Sequence, residues 1–199
     1  MVFNMNFDSY KSIIRDLLDD YRYNHSLCVA EEAKRLAILY NEDIENAYLA
    51  GLLHDITKNF TIDEHLNIFS KFDIILSDVE KKSIPIWHGI SASAYVKHIL
   101  GINEEKIISA IRYHTTAKSN MSLFEKLIYL ADYTSADRNY PDVDVMRRLV
   151  NESIEEAMLY SLKYTINDLI SKNRAVHPDT LNAYNEIILN KMENECGVK

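Results

Sequence analysis

Four glycines and three prolines in 199 residues leave this chain little with which to build turns. Folds with many strands draw on these two residues for positive φ and for fixed φ, and their usual combined share is about 12%. A chain this poor in both is expected to be all-α. Apolar residues recur at three and four: Ile13, Ile14, Leu17 and Leu18; Val29, Ala33, Leu36 and Tyr40; Ile107, Ile108 and Ile111. The pattern predicts helices near 8–21, 24–40, 43–54, 61–70, 86–100, 103–114, 121–135, 143–172 and 180–194. Thr61 with Glu64 and Ser122 with Glu125 fit the box that satisfies the free amides of a helix start. Pro85, Pro141 and Pro178 supply breaks. The stripe Val145, Leu149, Ile154, Met158, Leu162 and Ile166 suggests one long helix across the back of a bundle. With no repeat or linker evident, residues 1–199 read as one domain that includes the C-terminal helices.

The net charge of −8 sets the chain against long nucleic acid, which is bound through excess Lys and Arg. A small anionic substrate is compatible only if metal ions or clustered bases reverse the field in one cleft. No run approaches the roughly 20 apolar residues of a membrane span. The start MVFNMNFDSYKS lacks a signal-peptide layout, so a cytoplasmic location and no membrane partner are expected. Cys28 and Cys196 read as reduced thiols.

Polar donors interrupt the core pattern at five places. His25 opens the stripe of Val29, Ala33, Leu36 and Tyr40; His54 and Asp55 close the run Tyr48–Leu53; Asp132 breaks Leu127–Ala131. His114 ends the stripe of Ile107 and Ile111, and His88 begins the helix carrying Ala92, Tyr95 and Ile99. Acids and imidazoles at core-facing positions need compensation, and a divalent transition metal supplies it. Adjacent residues on a helix project about 100° apart, so His54 and Asp55 can grip from two sides, with the carboxylate placed to bridge two ions. The lack of a thiolate set favours open coordination positions over a closed structural zinc site. Cys28 has the blander reading of a small buried hydrophobe. His65 is expected on a polar first turn after its capping box, His98 in a last turn where a partly charged imidazole suits the helix dipole, and His177 in an exposed break between helices.

The order His25, His54-Asp55, Asp132 resembles the H…HD…D signature of HD-domain metal-dependent phosphohydrolases, an all-helical superfamily. In the context RYNHS, AGLLHDITK, WHG at 87–89, IRYHT at 111–115, IYLADYTSADR at 128–138 and PDT at 178–180, followed by Tyr184, the chain resembles the YqeK family of symmetrical dinucleoside-tetraphosphate hydrolases. The likeness runs from about residue 10 to about 190. It implies an HD-domain helical bundle and a metal, iron above all, held by His25, His54, Asp55 and Asp132. One ion or two is left open, because other HD proteins use two extra histidines as ligands, and His88 and His114 are the candidates. The resemblance further implies substrate contacts from His25, from Asp55, Ile56, Thr57 and Lys58, from His88, His114, Thr115, Asp132 and Arg138, and from Ala175, Val176, His177, Pro178, Asp179 and Thr180. Diadenosine tetraphosphate is the implied substrate and ADP the product. A homodimer is one open assembly state.

Cleaving a phosphoanhydride requires an activated water and neutralised phosphoryl oxygens, which a divalent metal supplies, so no side-chain nucleophile is needed. Lys58, about one turn beyond His54, offers a point charge to phosphate, the bland alternative being a solvated lysine past the helix end. Arg138 suits bidentate phosphate binding, with a surface pair to Asp137 as its alternative. His88 and His114, where not ligands, donate to phosphate or protonate the leaving group. Competing readings keep the fold but change the substrate to a nucleoside monophosphate, a cyclic dinucleotide or a guanosine alarmone, or replace catalysis by nucleotide-dependent regulation.

Overall fold

The computed structural model describes residues 6–196. Among them it forms eleven α-helices and no strand: α1 (Phe7–Leu17), α2 (Asp20–Leu39), α3 (Ile44–Leu53), α4 (Ile62–Lys71), α5 (Asp78–Lys82), a 3-10 turn (Ile84–Ile86), α6 (Trp87–His98), α7 (Glu105–Tyr113), α8 (Leu123–Thr134), α9 (Val143–Glu152), α10 (Ile154–Ser171) and α11 (Pro178–Cys196). The all-α expectation is met. The boxes at Thr61 and Ser122 cap α4 and α8, and a third, Ser77 with Glu80, starts the short α5 that the apolar spacing had not revealed.

Two expected helix boundaries are corrected. The first expected helix, 8–21, stops at Leu17, because Leu18 is extended and Asp19 accepts the amide of Arg22 at 2.8 Å, starting α2 at Asp20 rather than near 24. The expected 143–172 helix is two helices, divided at an extended Ser153 whose hydroxyl accepts the Glu156 amide. The break resets the phase of the apolar stripe. Accordingly α9 buries Met146 and Val150, while Val145 and Leu149 are only half-buried.

Helix α8 runs through the core, with Leu127, Ile128, Tyr129, Leu130 and Ala131 all fully buried. Helices α2, α3 and α7 pack around it, and α9 and α10 cover its remaining side. A smaller apolar cluster of Ile68, Phe69, Leu76, Trp87, Ile90 and Ala94 joins α4 to α6.

Two glycines permit close helix approaches. A Cβ on Gly51 would meet the Ala30 Cα and the Val29 carbonyl oxygen at 2.9 Å, so α3 can lie on the backbone of α2 only because that Cβ is missing. A Cβ on Gly89 would stand 3.2 Å from the Arg112 carbonyl oxygen and 3.5 Å from the His114 ring. Gly51 precedes His54 by one turn and Gly89 follows His88, so each close approach brings a polar donor with it.

Two histidines depart from expectation. His65 is not on a polar turn: it is buried, its Nδ1 lies 2.8 Å from Ser91 Oγ, and its ring packs beside Phe69 and Trp87. Ile68 and Phe69, three and four residues on, share its inward face. His177 is also buried rather than exposed, with its Nδ1 accepting the Asp179 amide at 3.1 Å at the start of α11. His98 lies in the last turn of α6, stacked on Phe72. Cys28 is a free, half-buried thiol, while the side chain of Cys196 lies outside the described residues.

Candidate metal centre

Five helices deliver the donors to one place. His25 comes from the second turn of α2, His54 and Asp55 from the end of α3, His88 from the first turn of α6, His114 from the end of α7 and Asp132 from the last turn of α8. His25, His54, Asp55, His88 and His114 are all buried. The rings of His25 and His54 meet edge to face at 5.3 Å between centroids, and those of His54 and His114 at 5.0 Å. Ligand atoms close enough to share an ion occur in three overlapping groups: His25, His54 and Asp55; His54, His114 and Asp132; Asp55, His88 and His114.

Helix ends orient two of these rings. His54 Nδ1–H donates to the Gly51 carbonyl at 2.7 Å and His114 Nδ1–H to the Ile111 carbonyl at 2.7 Å, each three residues back. Each ring therefore turns Nε2 into the cluster. His54 Nε2 faces Asp55 Oδ2 at 3.6 Å and Asp132 Oδ1 at 3.9 Å. His114 Nε2 and His88 Nε2 approach Asp55 Oδ1 at 3.5 and 3.2 Å, and Thr115 Oγ1 lies 3.1 Å from both ring nitrogens.

Burial pushes the His54 pKa down to about 4, although Asp55 and Asp132 pull the other way, and burial likewise holds His88 well below the usual histidine value. Burial opposes ionisation of Asp55, but His54, His88, His114 and Lys58 outweigh it and hold the carboxyl well below its usual range. Asp132 is held low in the same way, burial being overcome by His25 and Arg138. A neutral His54 beside ionised Asp55 and Asp132 is the pattern a metal ligand set requires, whereas at His25 burial is outweighed by Asp132 and the pKa is raised, so that binding an ion there would release a proton.

His54 Nε2 and Asp55 Oδ1 are buried without a hydrogen-bond partner. Each such atom costs about 1–3 kcal/mol. A divalent cation held by these residues would answer both, so the residues present fit the ion that the donor chemistry asks for.

Cationic side chains ring the cluster. Lys58 Nζ is 2.9 Å from His88 Nε2 and 3.6 Å from Asp55 Oδ1, and burial lowers its pKa. Arg138 contacts the Asp132 carboxylate, and its Nε donates to the Asp132 carbonyl at 2.6 Å. The alternative pairing of Arg138 with Asp137 is not made. Ile56 and Thr57 turn away from the cleft: Ile56 is fully buried in the core, and Thr57 Oγ1 donates to the His88 carbonyl at 3.0 Å. Thus only Asp55 and Lys58 of the 55–58 segment present side chains to the cluster.

The turn Ala175–Thr180 lies beside the cluster rather than in it. Thr180 Oγ1 donates to the Thr116 carbonyl at 2.7 Å, which ties the turn to the residues following His114 and Thr115. Ala175, His177 and Thr180, with Thr115, Thr116 and the apolar Ile84, Pro85 and Ile86, line a cavity of about 610 Å³; Val176, Pro178 and Asp179 do not.

Two residues of the site escaped sequence reasoning. Arg22 Nη1 reaches Asp55 Oδ2 at 3.4 Å, and its position one turn before His25 on α2 was the available signal. Asp137 Oδ2 lies 2.7 Å from His25 Nδ1 and is itself oriented by Ser135 Oγ, which donates to Oδ1 at 2.7 Å.

The HD domain family matches residues 22–137 of this chain. Two curated relatives are named bis(5'-nucleosyl)-tetraphosphatase, symmetrical. That of Halalkalibacterium halodurans is 35% identical over 93% of this chain and 98% of its own length, and that of Staphylococcus aureus is 36% identical over 91% and 94%. A crystal structure described as a predicted HD superfamily hydrolase involved in NAD metabolism, from Clostridium acetobutylicum, superposes with a TM-score of 0.90 at 36% identity, covering 93% of this chain and 98% of that one.

Proposed function

The chain belongs to the HD-domain family of hydrolases, and from that premise we propose that its five-helix cluster hydrolyses diadenosine tetraphosphate symmetrically, releasing two ADP. The observation that carries this reading is the convergence of His25, His54, Asp55 and Asp132, with His54 Nε2 and Asp55 Oδ1 buried and unsatisfied. The reading takes residues 1–199 as one catalytic unit and, since its substrate is a free nucleotide, places it in the cytoplasm.

These four residues would hold a divalent transition metal, and we assign iron. When bound, the metal lowers the pKa of water and neutralises phosphoryl oxygens. His88 and His114 either complete a second ion with Asp55 or hold phosphate oxygens, and metal stoichiometry distinguishes the two.

The remaining chemistry belongs to side chains. Lys58, Arg22 and Arg138 offset the carboxylates of Asp55, Asp132 and Asp137, so that with a divalent ion bound the cleft would be locally positive and would draw a polyanion that the overall charge of −8 repels. Lys58 Nζ and His88 Nε2, 2.9 Å apart, form a pair able to pass a proton to the departing phosphate. Thr115 Oγ1, between His88 and His114, offers a hydroxyl to a phosphoryl oxygen. The turn Ala175–Thr180 and the apolar 84–86 rim receive a nucleoside, which spends binding energy on positioning the reacting phosphate.

The test is hydrolysis of diadenosine tetraphosphate by metal-loaded protein, with chromatography of the products. Two ADP are expected. ATP with AMP would overturn symmetrical attack, and binding without hydrolysis would favour a regulator. In isotopically labelled water the label should enter ADP, as direct attack by water requires.

A further inference from the structure

Two cavities lie at the edge of the cluster, and both reach Thr115, the neighbour of His114. The cavity of about 610 Å³, bounded by the 175–180 turn and the 84–86 rim, has Thr115 in its wall. A second cavity of about 270 Å³ is lined by His114, Thr115, Asp132, Arg138 and the three tyrosines Tyr133, Tyr140 and Tyr164. Among the described residues, only Thr115 borders both.

The walls of the smaller cavity are aromatic and braced. Tyr140 Oη donates to the Tyr133 carbonyl at 3.0 Å, and Tyr133 Oη pairs with Thr165 Oγ1 at 2.6 Å. Both rings are thereby fixed from behind. Tyr164 stands at the mouth with its ring centroid 5.9 Å from that of Tyr140, yet it is 46% exposed. A half-exposed aromatic face lining the same cavity as Arg138, at the edge of a phosphate-handling site, suits a nucleobase whose phosphates lead inward, because every base has a π-face to stack.

A substrate with a nucleoside at each end and its cut in the middle needs two nucleoside places, one on either side of the reacting phosphates. We infer that the tyrosine-lined cavity is the subsite for the second nucleoside, with its base stacked on Tyr164. This rests on the symmetrical tetraphosphatase reading above. It goes beyond that reading in giving the departing half of the substrate a seat of its own, distinct from the 175–180 turn.

The test compares Tyr164→Ala and Tyr164→Phe, two changes at an exposed position, using steady-state hydrolysis of diadenosine tetraphosphate and inhibition by ADP. Loss of one base stack should raise KM roughly 5- to 150-fold in Tyr164→Ala, with kcat within about twofold. Tyr164→Phe keeps the π-face and should stay within about twofold of the unsubstituted protein in both constants. The inhibition constant of ADP alone should hold in Tyr164→Ala, since a single nucleotide takes the larger cavity. An unchanged KM in Tyr164→Ala overturns the proposal, as does a fall in kcat without a change in KM. A parallel rise in the ADP inhibition constant also overturns it, because the smaller cavity would then hold the first nucleotide. If the unsubstituted protein, fully metal-loaded, leaves diadenosine tetraphosphate intact, the functional reading fails and the subsite falls with it.

Discussion

Asp137 accepts the Nδ1–H of His25 at 2.7 Å, and the opposite nitrogen of the same ring, Nε2, faces Asp132. The carboxylate therefore sets which nitrogen of His25 is available to an ion, a constraint imposed from outside the ligand set. Partners of this kind typically contribute 10- to 100-fold to metal affinity. Asp137→Ala should weaken metal binding by about that factor while leaving the helical content intact, and Asp137→Asn, which keeps an acceptor, should lose less. Equilibration against a graded chelator series measures it; unchanged affinity in Asp137→Ala would show that packing alone orients His25.

Metal removal should lower stability as well as activity, because it leaves His54 Nε2 and Asp55 Oδ1 buried with no hydrogen-bond partner. At a thousandfold excess of metal over Kd, linkage predicts about 4 kcal/mol of stabilisation. Thermal melts across a metal titration check this. Asp132→Asn should abolish the shift, and a metal-independent melting temperature would contradict the ligand assignment.

Lys58→Ala should raise KM or lower kcat for the tetraphosphate, with metal content unchanged. The loss should be about tenfold or more, since hydrogen bonds to charged groups contribute roughly 1.5–3 kcal/mol. Kinetics matching the unsubstituted protein would reduce Lys58 to a structural partner of His88.

Gly51→Ala should destabilise the fold by roughly 1–3 kcal/mol, because the added Cβ meets α2 backbone atoms at 2.9 Å, and backbone cannot swing aside as a side chain can. Denaturant unfolding reads the stability. Metal affinity should fall in parallel, since any retreat of α3 from α2 parts His54 from His25. A variant as stable as its parent would mean the two helices separate freely.

Acid should expose the role of Glu80. Burial disfavours its charge, but the Ser77 amide and hydroxyl together with Arg112 outweigh burial and hold its pKa below the usual 4.5. A carboxyl depressed in the folded state stabilises fully above its unfolded pKa, and that stability is lost as pH falls through the folded value. Stability should therefore decline as pH drops below about 4.5, and Glu80→Gln should be less stable at neutral pH with a shallower acid decline. Parallel pH profiles of unfolding free energy would remove Glu80 from the acid transition.

Much of the site was legible because its residues violate their surroundings. Asp132 interrupts five consecutive buried residues of α8, and the His54-Asp55 pair ends an apolar run, so both are expensive without a partner. Arg22 and Asp137 broke no such pattern. One lies on a mixed helix start and the other in a polar turn, where a charge needs no excuse. His65 and His177 misled for the converse reason: each follows a polar boundary, and it is α6 packing on α4, and the α5 segment approaching the 177 turn, that bury them.

By itself the sequence determined the all-α class and the donors that must be compensated, because apolar period and buried charge are local properties of each helix. It pointed as well to a divalent ion, since the apolar runs that carry the acids hold no base; the bases that do reach those acids, Lys58, Arg22 and Arg138, come from outside the runs. Only the tertiary structure decided which donors share an atom-scale volume, that Asp137 grips His25 across more than a hundred residues of chain, and that two unequal cavities share Thr115. Such relations depend on how close one helix lies to the next. Contacts across the bundle set that distance, with Gly51 against Ala30 and Gly89 against Arg112 among them, and their partners are invisible along a single helix.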